Sequence, residues 1–323
     1  MHRTEIGLAL GGGAARGLAH IGVLRELERA GVAVTHVAGC SFGAVVGAAY
    51  VAGTLPELER RARSLSRGEL VRLADFTLSG GVVGGELLLD RLRELTRDLR
   101  FEELPVPFAV LATDLATGEP VVLRTGSVAE AVRASMSVPG LFAPIVLDGR
   151  TVVDGGLAEL VPVSALRELQ PPRVVAVDVS SPYDVWTRAA TRARLSVGSA
   201  RRRWHRLSEA ALELGPGRVL AGLGVRDRSD EQNWGLVRTV FAAFDITEDR
   251  LRRTPPDASA DVVIRPDVHR FHGHQFDRAP EIIAAGQRAV RQALPLIAGQ
   301  VAGSGPLPSS QVTSILPGAA KGA

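Results

Sequence analysis

The order of predicted elements near the start of the chain constrains its fold more than any other feature. The apolar run Ile6–Leu10 ends in three glycines, and apolar residues then recur at helical spacing over 16–30. A second apolar run, Val32–Ala38, ends in another glycine-flanked turn, and a small-residue helical pattern follows over 44–52. Strand, helix, strand and helix in such quick succession predict a parallel β-sheet covered by helices.

The rest of the chain extends this layout without an internal repeat. We predict further strands over 108–113, 121–124, 144–147, 151–153, 173–179 and 261–264. Helical patterns cover 55–100, with a glycine-rich interruption at 79–85, then 129–135 and 280–294. The fold class that follows is α/β, with a mostly parallel central sheet sandwiched by helices.

Changes in composition suggest where the domain is interrupted. We predict a core over 1–183, an arginine-rich variable helical insertion or lid over 184–232, and the C-terminal part of the same domain over 233–298. The Gly-, Pro- and Ser-rich segment 299–323 is a predicted disordered tail, because such a composition buries too little apolar surface to order a chain.

Composition also limits the class of protein. Hydrophobic residues make up 46% and charged residues 23% of the 323 residues, which is typical of a globular protein. The apolar stretch 37–53 is interrupted by Ser41 and several glycines, so we expect it to be buried in the protein. The single cysteine, Cys40, excludes an internal disulfide, and the first residues lack the pattern of a secretory signal. We therefore expect a cytoplasmic protein.

Positive charge is concentrated in one segment. Seven arginines and no acidic residue lie between Val185 and Ser208, within a chain of net charge +3. With Trp186 and Trp204, this segment (Arg188–Arg206) could make peripheral contact with an anionic lipid surface. A solvated arginine-rich helix is the alternative, and the sequence leaves both open. We expect no nucleic-acid partner.

The three glycines after the first strand form a loop, Gly11–Gly13, that we call the glycine loop. Without side chains, the N–H groups of Gly11, Gly12 and Gly13 can face an anion at the start of a helix. The loop is not a nucleotide motif, because it lacks Gly-Lys-Ser/Thr and because Arg16 replaces the last glycine of the dinucleotide fingerprint. Two interpretations of the loop remain: it binds a transient oxyanion, or it is a purely structural turn.

The turn after the second strand, Gly39–Gly43, matches Gly-x-Ser-x-Gly, and we call it the serine elbow. A sharp strand-to-helix turn of this kind exposes the hydroxyl of a nucleophilic serine, here Ser41, and its glycines relieve crowding. The N–H of Phe42, at the start of the helix, would point toward the developing oxyanion. The neighbouring thiol of Cys40 is expected to be buried and inert.

A serine nucleophile requires a proton acceptor, and Asp154 is the leading candidate. The pair Asp148–Gly149 has a predicted strand on each side and is explained as a hairpin turn. Asp154 instead has a strand only before it, and Gly155 and Gly156 leave space beside its carboxylate. This arrangement predicts a catalytic carboxylate.

A late histidine is the alternative base, as in an ordinary α/β-hydrolase. The candidates are His269, His272 and His274. The elbow comes early, after only the second predicted strand, which favours the aspartate. These histidines lack a nearby acidic ligand and a His-Glu-x-x-His helix, so we expect no metal site.

Four stretches together resemble the motifs of the patatin-like phospholipase family. They are Leu8–Val23, Gly39–Gly43, Ala134–Pro139 and Asp154–Gly156. The resemblance covers about residues 5–180, with a weaker match over 261–294. It implies a three-layer patatin-like fold and a lipid acyl hydrolase, a phospholipase, lysophospholipase or esterase, without a cofactor.

The resemblance also implies roles for individual residues. Ser41 would be the nucleophile, Asp154 its base, and the amides of Gly11–Gly13 the oxyanion hole. Arg16 would support that hole electrostatically or pair with a helix carboxylate, and His20 would be structural. A non-catalytic lipid-binding module that has kept the fold is a further alternative.

One position departs from the family pattern. Glu159 stands where the family's asparagine is expected shortly after Asp154–Gly156. The difference affects the predicted local hydrogen bonding but leaves the predicted nucleophile and base unchanged.

Overall fold

The computed structural model describes residues 4–64, 85–180 and 260–299. Its strands are β1 (Glu5–Leu10), β2 (Ala33–Cys40), β3 (Phe108–Asp114), β4 (Pro120–Leu123), β5 (Ile145–Leu147), β6 (Arg150–Asp154), β7 (Val174–Val177) and β8 (Val262–Ile264). Its helices are α1 (Ala19–Arg29), α2 (Phe42–Val51), α3 (Leu55–Ser64), α4 (Glu86–Thr96), α5 (Val128–Ser135), α6 (Val163–Glu168) and α7 (Ala279–Gly299). Short 3₁₀ turns span Ala14–Leu18, Phe101–Glu103, Gly155–Leu157 and Phe276–Arg278.

All these strands belong to one sheet with the order β5-β6-β3-β2-β1-β7-β8, and β4 pairs with β3. The strands from β3 through β2, β1 and β7 to β8 are parallel, whereas β4 and β6 run antiparallel to β3 and β5 antiparallel to β6. The predicted α/β class with a mostly parallel central sheet is confirmed. Because parallel strands share their direction, the turns that follow β1, β2, β7 and β8 lie at one edge of the sheet.

Alternate side chains of the central strands enter two separate cores. On β1, Leu8 and Leu10 pack with the helices of one face, whereas Ala9 packs with α6 on the other. Helices α1 and α7 approach closely on the first face: a Cβ at Gly22 would lie 1.9 Å from the Ile283 carbonyl oxygen. The result is a three-layer arrangement of helices, sheet and helix.

Two predicted helix boundaries are shifted. The helix predicted from residue 16 begins as a 3₁₀ turn and becomes α-helical only at Ala19, because the Ala15 N–H donates to the Gly273 carbonyl (2.9 Å) and the Arg16 N–H to that of Gly13 (3.0 Å). The last helix continues past its predicted end at 294 to Gly299. Its final turn is packed, with Ile297 only 1% exposed.

The predicted insertion over 184–232, with the arginines of 188–206, lies outside the described residues, as does the predicted tail beyond Gly299. The domain boundaries given above therefore stay predictions. Within the described ranges, no helix has both the length and the apolar composition needed to cross a bilayer.

Candidate active site

The serine elbow forms the connection between β2 and α2. Ser41 has φ +50° and ψ −125°, a conformation that typically costs a non-glycine residue about 1–3 kcal/mol. The turn requires its two glycines: a Cβ at Gly39 would lie 2.5 Å from the Ala44 Cα, and one at Gly43 would lie 2.2 Å from the Leu10 carbonyl oxygen. The backbone is thus held in a tight, strained turn that presents the Ser41 hydroxyl above the strand.

Strand register explains how Asp154 reaches this turn. On β3, Leu111 pairs with Cys40 of β2, and the next residue, Ala112, pairs with Asp154 of β6. Because β4 pairs along the same part of β3, β2 and β6 must lie end to end on its opposite side. The end of β6 therefore meets the end of β2, which places Asp154 beside Ser41.

The two side chains are hydrogen-bonded: the Ser41 hydroxyl donates to Oδ2 of Asp154 over 2.7 Å. The other carboxylate oxygen, Oδ1, accepts from the Gly156 N–H at 2.8 Å. Asp154 is completely buried and Ser41 is 9% exposed. Burial raises the pKa of Asp154 from 3.8 to about 7, and the hydrogen bonds from Ser41 and Gly156 only partly oppose this rise. A carboxylate with that pKa is a stronger base than an exposed one.

Ser135, at the end of α5, holds the backbone of the nucleophile. Its hydroxyl accepts from the Ser41 N–H at 2.8 Å and donates to the Leu111 carbonyl at 2.6 Å. Ser135 lies in one of the motif stretches, but no sequence pattern indicates that its hydroxyl would reach the elbow. The contact joins α5, β3 and the elbow at one buried point.

The backbone of Asp154 is anchored in a similar way. Its N–H donates to the Ser137 carbonyl at 3.0 Å, and its carbonyl accepts from the Thr113 hydroxyl at 2.8 Å. Arg133 in turn donates to the Ser137 hydroxyl at 2.8 Å. The sequence alone indicates no role for Thr113, Arg133 or Ser137, because the segments that carry them meet Asp154 only in the folded sheet.

The glycine loop lies against the elbow, but two of its amides are occupied. The Gly11 N–H donates to the Val177 carbonyl at 3.0 Å, and the Gly12 N–H donates to the Leu160 carbonyl at 2.9 Å. A Cβ at Gly12 would lie 3.5 Å from the Ser41 Cβ. The prediction that all three glycine amides face an oxyanion therefore needs correction, since in this structure those of Gly11 and Gly12 bind protein carbonyls.

The N–H groups of Gly13 and Phe42, which are also predicted oxyanion donors, differ from those of Gly11 and Gly12 in their hydrogen bonding. In the described part of the chain, the N–H groups of Gly13 and Phe42 have no hydrogen-bond partner. Phe42 begins α2, so its N–H lies at the positive end of a helix dipole. Among the described residues, each turn therefore has one N–H group that does not bind a protein carbonyl.

The remaining residues of these motifs are mostly buried. Arg16 is 1% exposed, and Cys40 is fully buried, as expected. His20 is also fully buried, and its Nε2 donates to the Gly11 carbonyl at 2.8 Å. Glu159 accepts from the Ser164 N–H at 3.0 Å and from its hydroxyl, so it binds the first turn of α6.

The late histidines do not bind the nucleophile in the described part of the chain, where Asp154 alone hydrogen-bonds the Ser41 hydroxyl. The expectation that these histidines lack a nearby acidic residue is wrong for His269, whose Nδ1 lies 2.5 Å from a carboxylate oxygen of Asp267. The rings of His272 and His274 stack with their centroids 5.6 Å apart. The described residues also contain no cluster of three His, Cys, Asp or Glu side chains suited to a metal ion.

Fold and site together define a three-layer α/β protein in which an elbow serine is paired with a buried carboxylate. Residues 8–167 match the family described as patatin-like phospholipase. The chain belongs to this family, as the motifs in the sequence indicated.

Similar proteins also match parts of the chain outside residues 8–167. An uncharacterized NTE family protein of Mycobacterium tuberculosis is 38% identical over 177 residues, covering 54% of this chain and 49% of that protein. A second one from the same organism is 31% identical over 296 residues, covering 90% of this chain and 46% of that protein. Lysophospholipase NTE1 of Cryptococcus neoformans is 35% identical over 185 residues, covering 56% of this chain and 11% of that protein. The chain thus spans about half the length of the two mycobacterial relatives.

Proposed function

We propose that the protein is a lipid acyl hydrolase that uses Ser41 as nucleophile and Asp154 as its base. The observation that carries the proposal is the 2.7 Å hydrogen bond between the Ser41 hydroxyl and the Asp154 carboxylate. The backbone of Ser41 is strained, and the buried carboxylate has a raised pKa. A structural serine–aspartate contact would not require the strained backbone of Ser41. Membership of the patatin-like phospholipase family supports the same chemistry.

The first half of the reaction forms an acyl-enzyme. Asp154 accepts the hydroxyl proton while the oxygen of Ser41 bonds to the carbonyl carbon of the ester. The carbonyl oxygen becomes an anion, and the N–H groups of Gly13 and Phe42 are the donors proposed to stabilise it. When the intermediate collapses, the alcohol leaves and takes the proton from Asp154.

In the second half, water replaces the alcohol. Asp154 accepts a proton from the water as its oxygen attacks the acyl carbon, and a second oxyanion forms at the same amides. The bond to Ser41 then breaks, its oxygen regains the proton held by Asp154, and the fatty acid leaves. This cycle requires no metal or organic cofactor.

The substrate class we propose is an acyl ester of a phospholipid or lysophospholipid. One relative is named a lysophospholipase, and the family is described as patatin-like phospholipase. The chain would meet such substrates at a membrane surface. Peripheral contact through the arginines of 188–206 in a cytoplasmic protein is part of this proposal and lies outside the described residues.

Replacement of the nucleophile tests the proposal directly. We expect Ser41→Ala to lower hydrolysis of a p-nitrophenyl acyl ester and of lysophosphatidylcholine by at least about 10³-fold, because the covalent step is lost. Ser64→Ala, at the exposed end of α3, is the matched control and should retain wild-type activity.

A fluorophosphonate probe separates an enzyme from a lipid-binding module. We expect it to label the wild type and Ser64→Ala but not Ser41→Ala. Absence of labelling and turnover in the folded wild type, or equal turnover by Ser41→Ala, would refute the proposed function.

A further inference from the structure

One peptide group of the glycine loop is held at both ends. The carbonyl of Gly11 accepts from Nε2 of His20 at 2.8 Å, and the N–H of Gly12 donates to the Leu160 carbonyl at 2.9 Å. These two atoms belong to the same planar peptide, so the two bonds together fix its rotation. Three consecutive glycines offer no Cβ to resist such a rotation, and the restraint must come from outside the loop.

The same carbonyl also touches the elbow. A Cβ at Gly43 would lie 2.6 Å from the Gly11 carbonyl oxygen. The oxygen is therefore packed between the imidazole of His20 and the backbone of α2, two residues after Ser41. Any change in its direction alters the contact between the glycine loop and the turn that carries the nucleophile.

His20 makes this bond at a cost to stability. It is fully buried, and its Nδ1 has no hydrogen-bond partner in the part of the chain that the structure describes. Burial lowers the pKa of His20 to about 4, against the opposing effects of the Gly11 hydrogen bond and the charge of Asp178. The ring is neutral at neutral pH and must carry its proton on Nε2 to donate to a carbonyl. An apolar side chain would avoid an unpaired buried nitrogen but could not hold the Gly11 carbonyl.

We propose that His20 is a positioning residue that locks the Gly11–Gly12 peptide, so that the next amide, that of Gly13, faces the oxyanion. The inference rests on the proposed function and adds His20 to the residues that support its oxyanion hole. Without the lock, the loop samples other peptide orientations, and the Gly13 N–H spends less time in the orientation that binds the anion. The loss would appear in the chemical step, because ground-state binding of the acyl chain does not require that amide.

Two amide substitutions separate this role from simple packing. The side-chain nitrogen of Gln lies the same number of bonds from Cβ as Nε2 of histidine, whereas that of Asn corresponds to Nδ1. We expect His20→Asn to lower kcat about 100-fold with little change in KM, the size of effect that a misplaced catalytic group produces. His20→Gln, which can still donate to Gly11, should recover most of that loss.

Thermal unfolding of both variants provides the structural control. Both replace an imidazole by a smaller polar amide, so we expect similar melting temperatures despite different kcat values. Equal kcat values in the two variants, or a kcat that follows the melting temperature, would overturn the role of His20. This result differs from failure of the proposed function, in which wild type and Ser41→Ala would not differ.

A measurement on the wild type avoids dependence on the folding of either variant. In ¹⁵N-histidine NMR spectra, we expect His20 to be neutral and protonated on Nε2 at pH 7, in the free enzyme and in its fluorophosphonate adduct. A ring protonated only on Nδ1 in both states would overturn the proposal, because that tautomer has no Nε2 proton to donate to the Gly11 carbonyl.

Discussion

The glycine loop and the serine elbow are built on the same plan and are held in different ways. Each is a glycine-rich turn from a parallel strand into a helix, and their strands, β1 and β2, are neighbours in the sheet. The elbow is shaped by its own residues, since Gly39 and Gly43 admit backbone contacts that a Cβ would prevent. The glycine loop is instead held by bonds to Val177, Leu160 and His20, which lie elsewhere in the chain.

The difference corresponds to what each turn contributes to the chemistry. The elbow presents one side chain, and a strained backbone is enough to direct it. The glycine loop presents bare amides, which have no side chain to orient them, so neighbouring elements must set their directions. Substitutions that act on one turn and spare the other test this distinction.

The largest expected effect concerns the base that serves the elbow. Asp154→Asn keeps the size of the side chain but cannot accept the Ser41 proton, and we expect a loss of about 10⁴-fold in kcat, as for other catalytic aspartates changed to asparagine. Hydrolysis of a p-nitrophenyl ester at pH 8 measures it. His269→Ala, His272→Ala and His274→Ala are the controls and should each keep most of the activity. Tolerance of Asp154→Asn with loss in a histidine variant would favour the histidine-assisted mechanism.

The buried carboxylate should also make stability depend on pH. Its pKa is about 7 in the folded protein against 3.8 ordinarily, so the folded state binds the proton more tightly than the unfolded state. The resulting stabilisation is complete below pH 3.8 and is lost as pH rises through about 7, up to about 4 kcal/mol in all. Chemical denaturation of wild type and Asp154→Asn between pH 5 and 9 isolates this contribution.

The same titration has an opposite effect on turnover. Because only the ionised Asp154 accepts a proton, kcat/KM should rise with pH to a plateau, with its midpoint near pH 7. The denaturation curves should show Asp154→Asn gaining stability relative to the wild type as pH rises from 5 to about 7, with a constant difference at higher pH. A constant difference in the free energy of unfolding between pH 5 and 7 would contradict the raised pKa.

Glycine-to-alanine substitutions compare the two turns directly. We expect Gly43→Ala to lower the free energy of unfolding by about 3 kcal/mol or more, because its Cβ would lie 2.2 Å from the Leu10 carbonyl oxygen, a backbone atom that cannot easily move. The contacts of a Cβ at Gly12 begin at 3.5 Å, an ordinary van der Waals distance, and Gly12→Ala should cost about 1 kcal/mol or less.

Urea denaturation of both variants measures these costs, with kcat as a second readout. Gly12→Ala places a methyl group against the Cβ of Ser41, so its activity should fall although its fold is retained. Equal destabilisation by the two substitutions would show that the turns are not held differently.

The parts of the site that the sequence indicated are those encoded locally. The elbow follows from Gly-x-Ser-x-Gly between a strand and a helix, and the position of Asp154 follows from a strand that ends in a carboxylate and glycines. The engagement of the Gly11 and Gly12 amides had no local signal, because Val177 and Leu160 are far away in sequence and reach the loop only through the sheet. A glycine-rich sequence shows that amides are accessible but not which carbonyls they meet.

A smaller effect on kcat is expected at a tertiary contact of the elbow, the hydrogen bond between the Ser41 N–H and the Ser135 hydroxyl. Ser135→Ala leaves the buried N–H of Ser41 and the carbonyl of Leu111 without their shared partner, which should cost about 1–3 kcal/mol of stability. A less restrained Ser41 should also lower kcat, by about tenfold, with KM nearly unchanged. Ser127→Ala is the matched control on the same helix: its hydroxyl accepts from the Glu130 N–H at 3.3 Å, and its loss should cost about 1 kcal/mol without a change in kcat. If both variants lost stability and neither lost kcat, the elbow would be held by its own glycines alone, and the contrast with the glycine loop would be sharper than the structure suggests.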